Sequence, residues 1–587
     1  MLQQLIIDHI DLWTSAETSR STAGRGSNGK TELTGIKKLR ELILELAVRG
    51  LLVPQDPNDE PASVLVEKIK PLTKKIAKDG KFSEYKLVDN KETPYFEIPV
   101  GWKWCVLGEI AAIARGGSPR PIKSFITEDE DGLNWIKIGD SVRGSRFIIS
   151  TEQKIKPEGL TKTREVFPGD LILSNSMSFG YPYILKISGC IHDGWLVLRI
   201  PEHLMNKIYL CNLFTSPYAK QAFTASAAGA VVQNLNSDKV KSFLLPLPPL
   251  AEQHRIVAKV DELMALCDQL EQQQLQQSDT HHTLVTTLLD SLRLATDNAQ
   301  FQAIWSQLAA HFDTLFTTEA SIDQLKQTLL QLAVMGKLVP QDPNDEPASV
   351  LLEKIAAEKA QLIKDGKIKN QKPLPEITED EKPFRLPDGW EWTRFENIVE
   401  ISSGVTKGRK LTGKNLVLLP YLRVANVQRS YLDLEVIKDI EITEDEIDRF
   451  ILKERDLLIT EGGDWDKVGR TAIWHLEIPL CIHQNHIFKA RCILVEQNEH
   501  WLEKYLNSYI ARVYFAGASK QTTNLASINK TQLSRCPIPM PPLAEQHRIV
   551  AKVDELMALC DQLKAGLNQA QTTQHQLAHA LVEQAIQ

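Results

Sequence analysis

The amino-acid sequence predicts an α+β chain built as a tandem duplication: a mixed α/β head occurs twice, each copy joined to long antiparallel coiled-coil-like helices. Three observations predict it. Residues 46–69, LAVRGLLVPQDPNDEPASVLVEKI, return at 332–355 as LAVMGKLVPQDPNDEPASVLLEKI, changed only at Arg49/Met335, Leu51/Lys337 and Val66/Leu352. Residues 246–271, PLPPLAEQHRIVAKVDELMALCDQLE, return at 539–564 with changes only at Leu247/Met540 and Glu271/Lys564. Between these pieces lie two stretches, 95–245 and 384–538, that agree only at scattered points. Gly101-Trp102-Lys103-Trp104 answers Gly389-Trp390-Glu391-Trp392, Gly169-Asp170-Leu171-Ile172-Leu173 answers Arg455-Asp456-Leu457-Leu458-Ile459, and Asn234-Leu235 answers Asn524-Leu525. A period of about 290 residues far exceeds the roughly 20 to 50 of a solenoid repeat, so each copy is a whole domain plus an arm.

Each copy opens on an amphipathic helix, with Ile36, Leu39, Ile43 and Leu46 matched by Ile322, Leu325, Leu329 and Leu332, closed by Gly50 and Gly336 at the C-cap. The Pro-rich runs at 54–61 and 340–347 end it, because proline fixes φ and lacks the N–H a helix needs. In the heads, short β-branched and aromatic runs at 133–138, 147–149, 171–173, 421–424 and 457–460 predict an irregular mixed sheet with some helix. After each head, apolar residues recur at alternating fours and threes: Ile256, Val260, Leu263, Cys267 and Leu270, then Ile549, Val553, Leu556, Cys560 and Leu563. That is a coiled-coil seam. In the first copy it turns polar at Gln274, Gln277 and His281 before Leu284 and Leu288; in the second it resumes at Leu577 and Leu581. Packing the four helices on one another as an antiparallel spacer is the simplest way to cover them. The expected division is a helical region at 1–94, a first head at 95–245, a central helical spacer at 246–383, a second head at 384–538 and a helical arm at 539–587.

Composition excludes several classes. No apolar run approaches the roughly 18 residues of a membrane span, and residues 1–10 lack the basic region and cleavage site of a secretory signal, so a cytoplasmic protein with no membrane partner is expected. The eight cysteines (Cys105, Cys190, Cys211, Cys267, Cys481, Cys492, Cys536, Cys560) contain no Cys-x-x-Cys pair, which argues against a zinc ribbon or disulfide framework. His281-His282 sits in a Gln-rich helix, and no metal site is expected. Gly24-x4-Gly29-Lys30-Thr31 fits the P-loop pattern, but Ser, Thr and charge precede it where a β-strand is required. The two Pro-Pro pairs sit in Leu-Pro-Pro-Leu and Met-Pro-Pro-Leu, not in an adenine-methylase loop, and Glu84-Tyr85-Lys86 lacks the partnering Asp of a nuclease. No catalytic residue is expected. The net charge of −7 cuts against an unaided nucleic-acid binder, since Lys and Arg against phosphate supply most of such affinity.

Near-identical arms with divergent heads fit one task done twice and another done two ways. Arms that each dock the same partner would bring two copies of it about a pseudo-two-fold axis, while unlike heads would read unlike half-sites. Rigid arms of 20 to 30 residues would hold the heads roughly 30 to 45 Å apart, on the order of one turn of B-DNA. The tandem layout, the PLPPLAEQHRIVAKVDEL and LVPQDPNDEPAS segments and the paired GWxW motifs resemble the specificity subunits of type I restriction-modification enzymes over nearly the whole chain. The resemblance implies double-stranded DNA as ligand and two target-recognition domains. It also implies two methyltransferase subunits that use S-adenosylmethionine to methylate adenine N6, and restriction subunits that use ATP and Mg. The chain itself would bind no cofactor, and its partners would supply much of the phosphate contact.

Polar residues at loops and strand ends are the candidates for base reading, because Arg and Lys suit guanine O6 and N7 while Asn and Gln suit adenine N6 and N7. In the first head they are Arg115, Ser118, Arg120, Lys123, Lys137, Asp140, Arg143, Arg146, Asn175, Ser176, Gln233 and Asn234. In the second they are Lys407, Arg409, Lys410, Arg423, Asn426, Gln428, Arg429, Lys467, Lys520, Gln521, Thr522 and Asn524. The matched tryptophans fit a shared core better than a stacking role. The rival is a duplicated scaffold that assembles two copies of a protein partner without touching DNA.

Overall fold

The computed structural model describes residues 6, 8–14, 17, 18, 31–83, 85, 96–175, 180–227, 235–409, 411, 415–463, 467–518, 520–522 and 525–586. Two compact units divide the chain: Met1–Ser278 with Ala570–Gln587, and Asp279–Gln569. Gly24 to Lys30, the P-loop-like run, lies outside the described residues. Among the described residues, no helix is long and apolar enough to cross a membrane, and no three His, Cys, Asp or Glu side chains gather as a metal site. All eight cysteines are free thiols.

Helix α1 (Thr34–Arg49) buries Ile36, Leu39, Ile43 and Ala47 along one stripe, each large side chain contributing roughly 1.5–3 kcal/mol by leaving water. It ends at Gly50, whose φ of +76° lies in the left-handed region, and Leu51 N–H reaches back to Leu46 C=O at 2.9 Å. A side chain there would also run into Pro99 and Trp102. Gly336, with φ of +69°, closes the matching helix in the second repeat, with Lys337 N–H on Leu332 C=O at 2.9 Å. The duplication extends further back than the matched segments. His9-Ile10-Asp11 and His311-Phe312-Asp313 each start a one-turn helix, with His9 at φ −126°, ψ 32° and His311 at φ −117°, ψ 21°.

The long helices exceed the expected 20 to 30 residues. Helix α2 (Leu250–Leu294) has 45 residues and α4 (Leu543–Ile586) has 44, about 65 Å each at the α-helical rise. Glutamine is a good helix former, and α2 holds neither Gly nor Pro, so a polar middle does not stop it. All five seam residues of the first copy are buried. In the second, Ile549, Val553 and Cys560 are buried and Leu556 is half-buried, but Leu563 is 39% exposed. The expected resumption of the seam is also off by one residue in both copies. Leu284 and Leu577 are exposed, while Val285 and Ala578 beside them are buried. One extra residue across the polar middle shifts the phase of the heptad pattern, which locally unwinds the seam.

Each seam is shared by three helices rather than four. In the first unit, Ile36, Leu39 and Ile43 share a core with Val260, Leu263 and Cys267 of α2 and with Ala578 near the end of α4. In the second, helix α3 (Glu319–Val334) packs Ile322, Leu325 and Leu329 with Cys560 of α4 and with Val285, Leu289 and Leu292 near the end of α2. Ile549 and Val553 instead join the core of the second head with Trp390 and Trp501.

The two heads share a sheet order. Ala112–Arg115, Trp195–Arg199, Leu171–Ser174 and Pro182–Leu185 lie side by side in the first, as Val399–Ser403, Ile487–Cys492, Leu457–Thr460 and Thr471–Ile473 do in the second. At the base, Trp104 pairs opposite Pro246 and Trp392 opposite Pro539. Trp102 Nε1 donates to the buried Glu252 carboxylate at 2.9 Å, and Gln55 adds a second donor; Trp390, Gln341 and Glu545 repeat this with 2.9 Å for the indole. Arg255 grips Asp59, and Arg548 grips Asp345, both at 2.6 Å. The Pro-rich loops are thus pinned to the first turns of the long helices, and the tryptophans belong to that anchor.

Candidate nucleic-acid interface

In both heads a second sheet contains a parallel pair. Strand β1 (Leu133–Ile136) runs alongside β2 (Gly189–Ile191), and β3 (Leu416–Leu422) alongside β4 (Ile482–His483). Parallel strands end on the same edge, so the loops that follow them emerge together. Both loops are built alike. After β1, Lys137 N–H donates to Asp140 Oδ2 at 2.6 Å; after β3, Arg423 N–H donates to Asn426 Oδ1 at 2.9 Å. Gly144 and Ser430, at equivalent positions, both take positive φ. After β2 comes His192, whereas β4 ends on His483, which the register places where the first head has Ile191; Gln484 takes the place of His192, with His192 N–H on Ile136 C=O at 3.2 Å and Gln484 N–H on Leu422 C=O at 2.9 Å. Gly116 and Gly404 cross directly over the two histidine carbonyls, with no room for a Cβ.

In the first head these loops converge on Asp193. Arg115 Nε donates to its carbonyl at 2.9 Å, Asn175 Nδ2 to the same carbonyl at 3.0 Å, and Ser118 Oγ to its carboxylate at 2.7 Å. The exposed Arg120 guanidinium stands 3.8 Å from that carboxylate. The Ser118 hydroxyl holds the Asp193 carboxyl below its ordinary range. His192 Nδ1 accepts Gly194 N–H at 2.7 Å, and burial pushes the ring's pKa down, so it stays neutral with its proton on Nε2. Lys137 and Asp140 lie within electrostatic range of this ring. Arg115, Ser118, Arg120, Lys137, Asp140 and Asn175 are therefore brought together. Lys123 and Arg143 are exposed nearby in sequence, Arg143 over the Tyr181 ring at 5.5 Å.

The second head fills the same places differently. Glu461 stands where the first head has Asn175; Ile528 N–H donates to the Glu461 carbonyl at 2.9 Å as Leu235 N–H does to Asn175 at 3.0 Å, so the counterpart of Leu235 is Ile528 and not the Leu525 that the sequence match suggests. The Glu461 carboxylate meets exposed His486 at 2.5 Å. Arg470 Nη1 donates to Gln428 Oε1 at 2.6 Å. His483 is fully buried, donates Nδ1–H to Ile487 C=O at 2.9 Å, and is pushed down to about 3 by desolvation. Lys520–Thr522 forms a strand on Leu525–Ser527, which also pairs Gly462–Gly463, so the backbone carrying Lys520, Gln521 and Thr522 joins the loop leading to exposed Lys467. Lys407 is exposed, and Arg429 is half-buried.

Several candidates are otherwise engaged. Arg146 is committed to Asp261 of α2 at 2.6 Å and to Asn212. Arg409 is locked bidentately on Glu446 at 2.6 and 3.0 Å, which holds that carboxyl down. Asn426 is 3% exposed and spends its Nδ2 on the Asp433 and Val436 carbonyls, so no amide edge remains for a base. Asp140 caps its own turn and accepts Glu152 N–H, which leaves it a positioning group. Arg423 donates to Val436 C=O at 3.0 Å. Ser176, Gln233, Asn234, Lys410 and Asn524 lie outside the described residues. Sequence reasoning missed His192, Asp193, Glu461, Arg470 and His486; the repeated Cys-Ile-His triplet lies one residue out of register between the heads and does not mark them.

The model of the type I restriction modification DNA specificity domain matches residues 99–278 and again 387–571. The chain belongs to this family. The two matched stretches of this specificity subunit stop at equivalent points within α2 and α4, so family and duplication agree. It is 39% identical over 616 residues to the type I restriction enzyme EcoAI specificity subunit of Escherichia coli, with 100% of both chains covered. It is 38% identical over 601 residues to the EcoEI specificity subunit of the same species, again with 100% of both covered. A solved chain from a study of type I R-M complex assembly covers 84% of this chain and 99% of its own at 19% identity, with a TM-score of 0.46.

Proposed function

We infer that this specificity subunit reads an asymmetric, two-part DNA sequence, one part with residues 95–245 and the other with residues 384–538. The observation that carries it is one loop pair built twice with unlike side chains: Ser118 and Arg120 gathered on Asp193 in one head, Glu461 with His486 and Arg470 with Gln428 in the other. Arginine favours guanine and a carboxylate accepts from cytosine N4, so unlike side chains on matched loops ask for different bases. The matched arms would dock two methyltransferase subunits, which use S-adenosylmethionine to methylate adenine N6, and the assembly would admit restriction subunits that use ATP and Mg. With a net charge of −7, most phosphate neutralisation falls to those partners. The test is a footprint of the chain with its methyltransferase partner on random-sequence DNA. Two protected blocks of different sequence at a fixed gap are expected; no sequence preference would favour the scaffold.

A further inference from the structure

The near-identity of the arms creates a pairing problem. Short helix α1 must choose α2 over α4, and α3 must choose α4 over α2, although the seam residues that each offers are the same. Apolar contact cannot discriminate between identical stripes, so the choice falls to what flanks them.

In the second unit, Lys564 Nζ lies 3.0 Å from Asp323, and Lys326 lies 2.6 Å from Asp561. In the first, Arg40, the counterpart of Lys326, lies 2.7 Å from Asp268, the counterpart of Asp561. This cation–anion contact has the same polarity in both repeats and cannot tell them apart. At the neighbouring position the charges are reversed. Position 564 carries Lys and faces Asp323; its counterpart carries Glu271, and the counterpart of Asp323 is Lys37. Glu271 is additionally held by Arg40 at 2.6 Å. Glu271/Lys564 is one of only two changes in the 26-residue match, and it is mirrored by a sign change on the short helix.

We propose that this reversed charge pair is an intrachain recognition code that assigns each short helix to its own long helix. Crossed pairing would set Lys37 and Arg40 against Lys564, and Asp323 against Glu271, adding a repulsion in each combination while the apolar seam and the contacts of Arg40 and Lys326 with Asp561 and Asp268 stay satisfied. Each exposed contact is weak, and like charges oppose pairing by a similar amount, so the code works as a difference summed over two helix pairs. It fixes which short helix each long arm carries.

The test uses the full-length chain, refolded from denaturant at low salt. K37D and E271K should each lower the melting temperature, and K37D/E271K should restore it. That double variant also gives both repeats the same polarity. Zero-length carbodiimide crosslinking with mass spectrometry then reads pairing, since Lys564 to Asp323 is the native link. Crosslinks joining position 271 to Asp323, or Lys564 to position 37, should rise about fivefold over the unchanged chain. The reciprocal variant D323K/K564E should behave alike, and 1 M salt should erase the difference. Additive effects of the two single substitutions, or an unchanged crossed fraction in both double variants, would overturn the code.

Discussion

The two heads build the same turn and line it with different side chains. In the first, the turn after Cys190-Ile191 keeps His192 and Asp193 half-exposed, with Arg115, Ser118, Arg120 and Asn175 gathered on Asp193. In the second, Gln484 takes the place of His192, His483 is sealed in the place of Ile191, and the polar functions fall to Glu461, His486, Gln428 and Arg470. Backbone hydrogen bonds at these loops are shared almost bond for bond, while side chains diverge. A scaffold that fixes loop positions can thus exchange what they present without refolding.

The largest effects should fall on what the heads share. Trp102→Ala and Trp390→Ala each remove a buried indole and strand a buried carboxylate, so each should cost about 3–5 kcal/mol in chemical denaturation, and by similar amounts. A loss in one repeat only would mean that the anchors are not equivalent. Next come the differences. Asp193→Ala releases Ser118 and Arg120 in the first head alone, so selectivity should relax about tenfold or more at one half-site in competition binding by the chain with its methyltransferase partner. Relaxation at both halves would break the contrast.

The smallest effect is on pH. The His483 ring titrates near 6.5 when unfolded and is pushed down to about 3 in the fold, so the unfolded chain binds the extra proton between those values. Stability from this group is complete above pH 6.5 and is lost as pH falls toward 3. Urea melts at pH 7 and pH 5 should show the second unit weakening, and a His483→Asn chain should show a shallower dependence. An unchanged slope would remove His483 as its source.

The architecture was legible because duplication writes the same apolar spacing twice. Gly50 and Gly336 marked both helix ends, and residues 457–460 form the strand their β-branched run implied. The phase shift was hidden, since Gln274 and Gln277 give no apolar marker of phase, so the apolar spacing points to Leu284 and Leu577, one residue before the buried Val285 and Ala578. The short helices after His9 and His311 escaped because their agreement is a few residues with one insertion. At the site, residue type alone could not separate Arg120, exposed beside Asp193, from Arg146 and Arg409, which are held by Asp261 and Glu446. Those partners are distant in sequence or set by a turn. Parallel pairing of β2 on β1 is what gathers the loops, and that non-local contact leaves no mark in either strand alone.

The most direct measurement replaces residues 95–245 with the first head of a relative of different specificity and maps adenine methylation across the genome with the matching methyltransferase. One half of the recognised sequence should change while the other half and the gap between them persist. A change in both halves together, or in the gap, would contradict independent heads on a fixed frame.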